Sequence, residues 1–194
     1  MSGETDSTKE LPRKTPQWYS MGPFTVFDLE TTGLSPARDR IVEIAGIRVE
    51  TDGSQKKFEA LVNPRRPIPR QASQVHGITD EMVGDAPSFE SVGREFLSFA
   101  SGSTLVAHNA RFDLGFLQES LFREGLGTWE GKTLDSIRLM KQAYSGLPSY
   151  SLQELRRNFA LDDTAGPAHR AGADAAWTLE IFSLALQALL KRAG

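Results

Sequence analysis

The sequence predicts an α/β fold in which one mixed sheet is flanked by helices. Two observations lead to this prediction. Three extended apolar segments follow one another in the first third of the chain and are joined by turn-forming residues, which indicates a meander of neighbouring strands. From residue 88 onwards, segments of helical periodicity alternate with short strands. At 194 residues the chain is long enough for one domain with a sizeable core.

The first 23 residues contain six charged side chains of both signs and no periodic apolar pattern. Such a composition favours a flexible leader over residues 1–23. The folded domain is therefore predicted to span residues 24–194 and to begin at Phe24.

The predicted meander begins with FTVFDLE at 24–30, continues with IVEIAGIRVE at 41–50 and ends with KKFEALVN at 56–63. An Asp-Gly pair within TDGS is expected to form the turn between the second and third strands. The Pro-rich stretch NPRRPIP at 63–69 comes next and is predicted to be a loop.

The second half of the chain is predicted to alternate helices with two short strands. Ser88 is expected to cap a helix with one apolar face, and Gly125 is expected to end another helix that runs through Arg123. STLVAHN at 103–109 and KTLD at 132–135 supply the fourth and fifth strands. Three further helices are predicted over Ser136–Tyr144, Ser151–Phe159 and Arg170–Lys191.

Composition excludes several classes of protein. The absence of cysteine rules out a disulfide scaffold, thiol catalysis and a zinc site built from cysteines. A formal net charge of −3 indicates no broad basic surface for a polyanion. The longest mostly apolar run, 181–190, is shorter than the roughly 20 residues that cross a bilayer, and no signal peptide is visible. We therefore expect a cytoplasmic protein without a membrane partner.

Two carboxylates, Asp28 and Glu30, interrupt the end of the first apolar strand. Because side chains alternate across a strand, both project to the same face, about 7 Å apart. Two anions so placed repel each other unless a positive group lies between them. The following Thr31-Thr32-Gly33 supplies small side chains where a ligand can approach the backbone. The alternative is a strand end that simply runs into solvent.

Two further segments combine acids with a histidine. Asn109 and Asp113 begin a predicted helix, where they alternatively act as its cap and as an acid that complements the helix dipole. His169 precedes Asp174 at the start of the last helix, and the small residues 171–173 between them allow close packing on the sheet.

Taken together, four carboxylates at strand ends and helix starts, with one imidazole, are what a two-metal phosphoryl-transfer site requires. Hard ions such as Mg²⁺ or Mn²⁺ prefer oxygen ligands and accept phosphate as a further ligand. A neighbouring histidine can accept the proton of an attacking water.

Three segments, FDLETTG at 27–33, HNARFDLGFL at 108–117 and HRAGAD at 169–174, resemble the exonuclease motifs of the DEDDh 3′–5′ exonucleases. This group contains the proofreading epsilon subunit of bacterial DNA polymerase III and ribonuclease T. The spacing of five positions from His169 to Asp174 is that of the histidine branch. The resemblance implies a ribonuclease H-like fold, with a five-stranded mixed sheet whose second strand is antiparallel. Further similar stretches are RIVEIAGI at 40–47, NP to VHGIT at 63–79, and TLDSIRLMK at 133–141.

The resemblance also implies roles for individual residues. Asp28, Glu30, Asp113 and Asp174 would be the ligands of two divalent metal ions, Mg²⁺ or Mn²⁺, and His169 the general base. Thr31, Thr32 and Gly33 would hold the last nucleotide, and Leu34 would wedge against its base. The same terminal pocket would be lined by His76, Asn109 and Phe112.

Other polar residues have structural interpretations. His108 is equally well explained as a packed, hydrogen-bonded histidine beneath the site. Asp135 is expected to cap the helix that begins at Ser136, and Glu43 to pair with a donor that the sequence does not identify. The arginines of the Pro-rich region either contact the substrate backbone or form a solvated charged loop: Arg65, Arg66 and Arg70.

The resemblance implies a 3′–5′ exonuclease that releases nucleoside 5′-monophosphates from single-stranded or frayed DNA ends, in proofreading or repair. Two alternatives stay open: an exoribonuclease that trims RNA ends, and a non-catalytic nucleic-acid-binding subunit of a polymerase complex. Epsilon-type subunits commonly carry a C-terminal extension that binds the polymerase, whereas this sequence ends at Gly194. The lack of such an extension argues against stable attachment to a polymerase and favours a standalone exonuclease or an epsilon-like repair enzyme, with a DNA polymerase kept as an alternative partner.

Overall fold

A computed structural model describes residues 17–161 and 168–193. Its centre is one five-stranded sheet in the order β3-β2-β1-β4-β5. Strand β2 is antiparallel to β1 and β3, whereas β4 is parallel to β1 and β5. The predicted mixed sheet with an antiparallel second strand is confirmed. The strands are β1 (Phe24–Thr31), β2 (Ile41–Val49), β3 (Gln55–Leu61), β4 (Thr104–Ala107) and β5 (Thr133–Asp135).

Helices cover both faces of the sheet. Those predicted from periodicity are present within a few residues of their expected bounds, and the last one is the longest. The helices are α1 (Arg70–His76), α2 (Asp80–Val83), α3 (Phe89–Ala100), α4 (Ala110–Arg123), α5 (Ser136–Ala143), α6 (Leu152–Phe159) and α7 (Ala171–Ala193).

Alternation along β1 sorts its side chains between two cores. Phe27 and Leu29 are buried with residues of α3 and α4 on one face. Val26 is buried on the other face together with Phe182 of α7. Because Asp28 and Glu30 share the side of Val26, their carboxylates lie on the face that α7 covers.

Helix α7 is long and apolar enough by length and composition to cross a membrane, and 56% of its most apolar window is buried within the protein. It packs on β1, β2 and α5, and its side chains Ile181 and Ala185 belong to a buried cluster with α5 and α6. It is therefore a core helix of the fold.

The predicted leader extends too far along the chain. Residues Trp18–Met21 form a 3₁₀ helix, and the Trp18 side chain is buried. Its ring contacts Phe24 and Phe182, with centroids 6.0 and 5.7 Å away. Order thus begins before Phe24 because an aromatic side chain completes the core of the α7 face. Residues 1–16 of the predicted leader lie outside the described residues.

Two helices and two caps also differ from the prediction. Helices α1 and α2 follow the Pro-rich loop in a region where no element is predicted, because one or two turns are too short to show periodicity. Ser88 and Asn109 occupy the N-cap positions of α3 and α4, but neither side chain makes a capping hydrogen bond. Asn109 instead has a left-handed backbone, with φ of 61°.

Candidate active site

The structure brings three of the predicted carboxylates together. Asp28 and Glu30 come from β1, and Asp174 comes from the first turn of α7. One oxygen from each lies within 4.8 Å of the others. The side chains of Glu30 and Asp174 are buried, so this cluster of negative charge has little access to water.

Asp113 lies at the same edge of the sheet, in the first turn of α4, and is 3% exposed. It is not one of the three residues with oxygens inside 4.8 Å, but its charge is the largest electrostatic contribution to the raised pKa of Asp28 after burial itself. Because β1 and β4 are parallel, their carboxyl ends meet at one edge, which places α4 and Asp113 beside Asp28.

Burial and mutual repulsion raise the pKa values of these acids. Burial raises the pKa of Glu30 to about 8, with further contributions from the charges of Asp174 and Glu43. Burial also raises the pKa of Asp113 to about 8. The raised pKa values mean that these carboxylates have lost their hydration and that nearby positive groups do not fully stabilise their negative charge.

A cation fits this arrangement. Among the described residues, Oδ1 of Asp174 is buried and accepts no hydrogen bond. An oxygen donor set of this kind suits a hard divalent ion, which would supply the missing positive charge. The four predicted ligands are thus chemically suited to a metal, and three of them converge closely.

His169 lies at the solvent edge of this cluster. It occupies the loop before α7, is exposed, and has a left-handed backbone with φ of 59°. Its charge and its backbone N–H both lower the pKa of Asp174, partly offsetting the effect of burial. The imidazole is thus close to the carboxylates and reachable by water.

The donor that the sequence could not identify for Glu43 is Arg170. Nε of Arg170 donates to both carboxylate oxygens at 3.2 and 3.1 Å, and the backbone N–H of Ala171 donates to Oε2 at 2.9 Å. Glu43 is directly opposite Glu30 in the β1–β2 register. The ion pair therefore attaches Arg170, the residue after His169, to the sheet beside Glu30.

A cavity of about 480 Å³, here called the β1 pocket, opens beside Glu30. Of the side chains predicted to line a terminal-nucleotide pocket, Phe112 and His76 line this cavity, whereas Asn109 is not among its lining residues. Its outer wall comes from α1, which the sequence did not predict, and includes Val75 and Ala72. The remaining predicted residues all line the β1 pocket: Thr31, Thr32, Gly33 and Leu34.

Hydrogen bonds and close contacts within the loop after β1 fix its backbone. A Cβ on Gly33 would lie 2.5 Å from Oδ2 of Asp39, an oxygen that accepts the backbone N–H of Ser35 at 2.9 Å. The hydroxyl of Thr31 donates to the carbonyl of Gly33 at 2.6 Å. A side chain at position 33 would therefore require the Asp39 carboxylate to move away from the N–H of Ser35, and Leu34 is left 85% exposed beside the pocket.

Two other polar residues, His108 and Asp135, have structural roles. Both ring nitrogens of His108 are hydrogen bonded, at 2.8 Å to the hydroxyl of Ser136 and at 2.9 Å to the carbonyl of Tyr150, which favours its structural interpretation. Asp135 caps α5, as predicted, by accepting the N–H of Ile137 at 2.9 Å.

Known proteins resemble this chain over the residues that form the sheet and the candidate site. Residues 25–182 match the family described as Exonuclease. DNA polymerase III PolC-type of Caldanaerobacter subterraneus subsp. tengcongensis is 41% identical over 168 residues, which are 87% of this chain and 12% of that protein. DNA polymerase III subunit epsilon of Treponema pallidum is 38% identical over 162 residues, 82% of this chain and 74% of that protein.

A solved structure agrees in fold. Exonuclease X in complex with 5′ overhanging duplex DNA has a TM-score of 0.62 and 30% identity, over 88% of this chain and 92% of that one. The predicted ribonuclease H-like fold is thereby confirmed. Since the family match runs through all three segments that carry the carboxylates, and the epsilon subunit is related over most of its own length, this chain belongs to the DEDD-type exonuclease family.

Proposed function

We propose that this chain is a metal-dependent 3′–5′ exonuclease that hydrolyses the terminal phosphodiester of a single-stranded or frayed DNA end and releases nucleoside 5′-monophosphates. The observation that carries the proposal is the convergence of Asp28, Glu30 and Asp174 within 4.8 Å beside the β1 pocket. A nucleotide in that pocket would place its phosphate next to the carboxylates, since Glu30 belongs to both.

Two divalent ions, Mg²⁺ or Mn²⁺, would be held by Asp28, Glu30, Asp113 and Asp174. Bound there, such ions supply Lewis acidity and stabilise negative charge on the attacking and leaving oxygens. The chain contributes four carboxylates fixed on β1 and on the first turns of α4 and α7. Because these elements belong to the core, the ligands need little rearrangement to bind.

His169 is proposed as the general base. Its exposed position at the edge of the carboxylate cluster lets it accept a proton from the attacking water and pass it to solvent. Asp174, which lies within range of the charge of His169, would stabilise the imidazolium that forms.

The β1 pocket would take the terminal nucleotide without reading its base. Phe112, Val75 and the exposed Leu34 offer apolar contact to a base, and stacking of this kind tolerates every base. A frayed end enters more readily than a paired one because unpairing costs free energy. Substrate selection would therefore depend on whether the end is single-stranded.

DNA is the favoured substrate because the related proteins are named as DNA polymerase III, and Exonuclease X was solved with duplex DNA. The chain covers only 12% of the PolC-type protein, so the activity, substrate and partners of the whole relative are carried over here as proposals. A cytoplasmic site of action and a DNA polymerase as partner belong to the same proposal.

The test is a gel assay of a 5′-labelled single-stranded oligonucleotide, run as DNA and as RNA of one sequence, with Mg²⁺ and with Mn²⁺. We expect stepwise shortening of DNA, nucleoside 5′-monophosphate as product, and a loss of roughly a thousandfold or more in Asp28→Ala. The matched control is Asp52→Asn, because Asp52 is an exposed turn acid whose bond to Ser54 an amide oxygen preserves.

Each alternative has its own outcome in this assay. Faster shortening of RNA would assign the chain to the exoribonucleases. Binding without monophosphate release would assign it to non-catalytic subunits. Full activity in Asp28→Ala would show that the carboxylate cluster is not the catalytic centre.

A further inference from the structure

Four arginines surround a second cavity, of about 720 Å³, on the other side of the loop that follows β1. We call it the arginine pocket and define it by Arg40, Arg65, Arg66 and Arg123. Its one acidic lining residue is Glu124. Arg70, the third arginine of the Pro-rich region, does not line it.

Acidic side chains compensate only part of the positive charge of this pocket: Glu124 lines it, and the charges of Glu124 and Asp39 act on Arg40. Within residues 17–161 and 168–193, no carboxylate forms an ion pair with Arg40, Arg65 or Arg66. Arg123 has a partner, Glu119, at 3.3 Å. Arginines from three separate segments of the chain thus line one cavity.

Two of the guanidinium groups are held by neutral partners. Nη1 of Arg40 donates to the carbonyls of Arg38 and Asp39 at 3.1 and 2.9 Å. Nη1 of Arg66 donates to the same carbonyl of Arg38. Carbonyl groups orient a guanidinium but do not neutralise it, so these cations are fixed in place with their charge intact.

The arginines also repel one another. The pKa of Arg40 is lowered first by burial and then by the charges of Arg123 and Arg66. An anion in the pocket would remove this repulsion. The planar fork of a guanidinium matches the oxygens of a phosphate, which makes phosphate the anion that this pocket suits.

The arginine pocket and the β1 pocket share a wall. Thr32 lines the β1 pocket, and its N–H donates at 2.8 Å to the carbonyl of Arg40, which lines the arginine pocket. The Pro-rich loop provides a second shared wall, with Pro67 on the arginine pocket and Pro69 on the β1 pocket. A nucleic acid that ends in one pocket therefore passes close to the other.

We propose that the arginine pocket binds a backbone phosphate of the nucleic acid whose 3′ end occupies the β1 pocket. This inference rests on the exonuclease function proposed above. It predicts that the enzyme holds more than the terminal nucleotide, despite a formal net charge of −3. The phosphate belongs either to the degraded strand or to its complement, and these two sources are separable by experiment.

The experiment compares wild type with the double variant Arg65→Ala/Arg66→Ala on three substrates. These are the p-nitrophenyl ester of thymidine 5′-monophosphate, a single-stranded 20-mer, and a duplex with a recessed 3′ end. Both arginines are exposed loop residues, so equal melting temperatures are expected. The matched control is Arg94→Ala/Lys132→Ala, which removes the same charge from exposed positions outside both pockets.

We expect the ratio of kcat/KM on the 20-mer to kcat/KM on the ester to fall at least tenfold in Arg65→Ala/Arg66→Ala. The slope of log KM against log salt should decrease by about 0.7 for each lost phosphate contact on a single strand. Loss on both DNA substrates places the degraded strand in the pocket, and loss on the duplex alone places the complement there.

Other outcomes overturn the inference. If kcat/KM relative to the ester is unchanged on both the 20-mer and the duplex, or falls equally in the control variant, the arginine pocket does not contact DNA. An equal loss on the ester would mean that the substitutions act on the catalytic centre. If the wild-type chain hydrolyses neither the ester nor DNA, the proposed function itself is contradicted. The wild type alone shows this outcome, so it is distinct from a failure of the arginine-pocket inference.

Discussion

Glu43 illustrates how one buried residue can connect the sheet to the loop that carries His169. It is 7% exposed, pairs with Arg170 through both carboxylate oxygens, and also accepts the N–H of Ala171. His169, one residue before Arg170, is exposed and has a left-handed backbone, so the pair between Glu43 and Arg170 anchors the loop directly beside it. We infer that Glu43 is a positioning residue for His169.

Glu43→Gln tests this role. The amide cannot accept both donors of Arg170 as an anion does, so we expect kcat to fall roughly tenfold to a hundredfold with little change in KM. The partly exposed pair should cost about 1–3 kcal/mol of stability. Steady-state kinetics on the single-stranded oligonucleotide and thermal melting measure the two effects.

The comparison that isolates the pair is a cycle of Glu43→Gln, Arg170→Gln and the double variant. If the pair positions His169, the second substitution costs little once the first is made. Equal and additive losses in kcat would contradict a shared role. An unchanged kcat in Glu43→Gln would restrict Glu43 to a contribution to stability.

Among the secondary-structure elements, α1 contributes most that the sequence did not reveal. Its seven residues, RQASQVH, follow Pro69 and contain one large apolar side chain, so no helical stripe is visible. In the structure it forms the outer wall of the β1 pocket, and Val75 is 57% exposed there. An exposed apolar side chain at a pocket rim is well placed to contact a nucleotide base.

Val75→Glu should raise KM about tenfold without lowering the melting temperature, because an exposed position tolerates a charge but a phosphate-rich substrate is repelled by it. Met82→Glu on α2 is the matched control, since Met82 is also an exposed apolar residue on a short helix and lies outside the β1 pocket. KM should rise for the mononucleotide ester as well as for the 20-mer. An equal effect of both substitutions would mean that added charge acts at long range.

Elements with long apolar runs could be predicted, and those that depend on distant contacts could not. The strands at 24–30 and 41–50 are continuous buried runs, and their order follows from the meander. Trp18 is ordered only because Phe182, far along the chain, completes its contacts. No local pattern around residues 17–23 reports that partner.

In the candidate site, too, some features could be predicted from local sequence and others depend on distant contacts. Asp28 and Glu30 could be placed on one face from strand alternation alone, and their meeting with Asp174 was expected from the resemblance to a family. The arginine pocket could not be predicted, because Arg123 comes from the end of α4 and Arg40 from the loop before β2. Only the folded chain brings these positions together.

At the scale of the whole molecule, charge is separated between two neighbouring sites. The formal net charge of −3 includes the four carboxylates proposed as metal ligands, so the remaining chain carries a slight positive excess. Part of that excess lies in the arginine pocket. An acidic protein can thus bind a polyanion, provided that cations occupy the carboxylates and phosphates reach the arginines.

Because of the carboxylate cluster, the stability of the metal-free chain should fall as pH rises above the ordinary pKa of a carboxyl group. Burial raises the pKa of Glu30 from 4.5 to about 8 and that of Asp113 from 3.8 to about 8. The folded chain therefore binds more protons than the unfolded chain between about pH 4 and pH 8. Stability falls as pH rises through this window, and the full penalty is present above pH 8.

We accordingly expect the chain in chelator to melt several degrees lower at pH 9 than at pH 6. Added Mg²⁺ should restore stability mostly at pH 9, where it does not compete with protons for the carboxylate oxygens. Glu30→Gln should flatten the pH dependence in chelator and weaken the response to Mg²⁺, because it removes one of the raised pKa values and one ligand together. Thermal melting of both chains, with and without Mg²⁺, tests this directly. A level melting temperature from pH 6 to pH 9, or an equal slope in Glu30→Gln, would show that the buried carboxylates do not destabilise the metal-free fold.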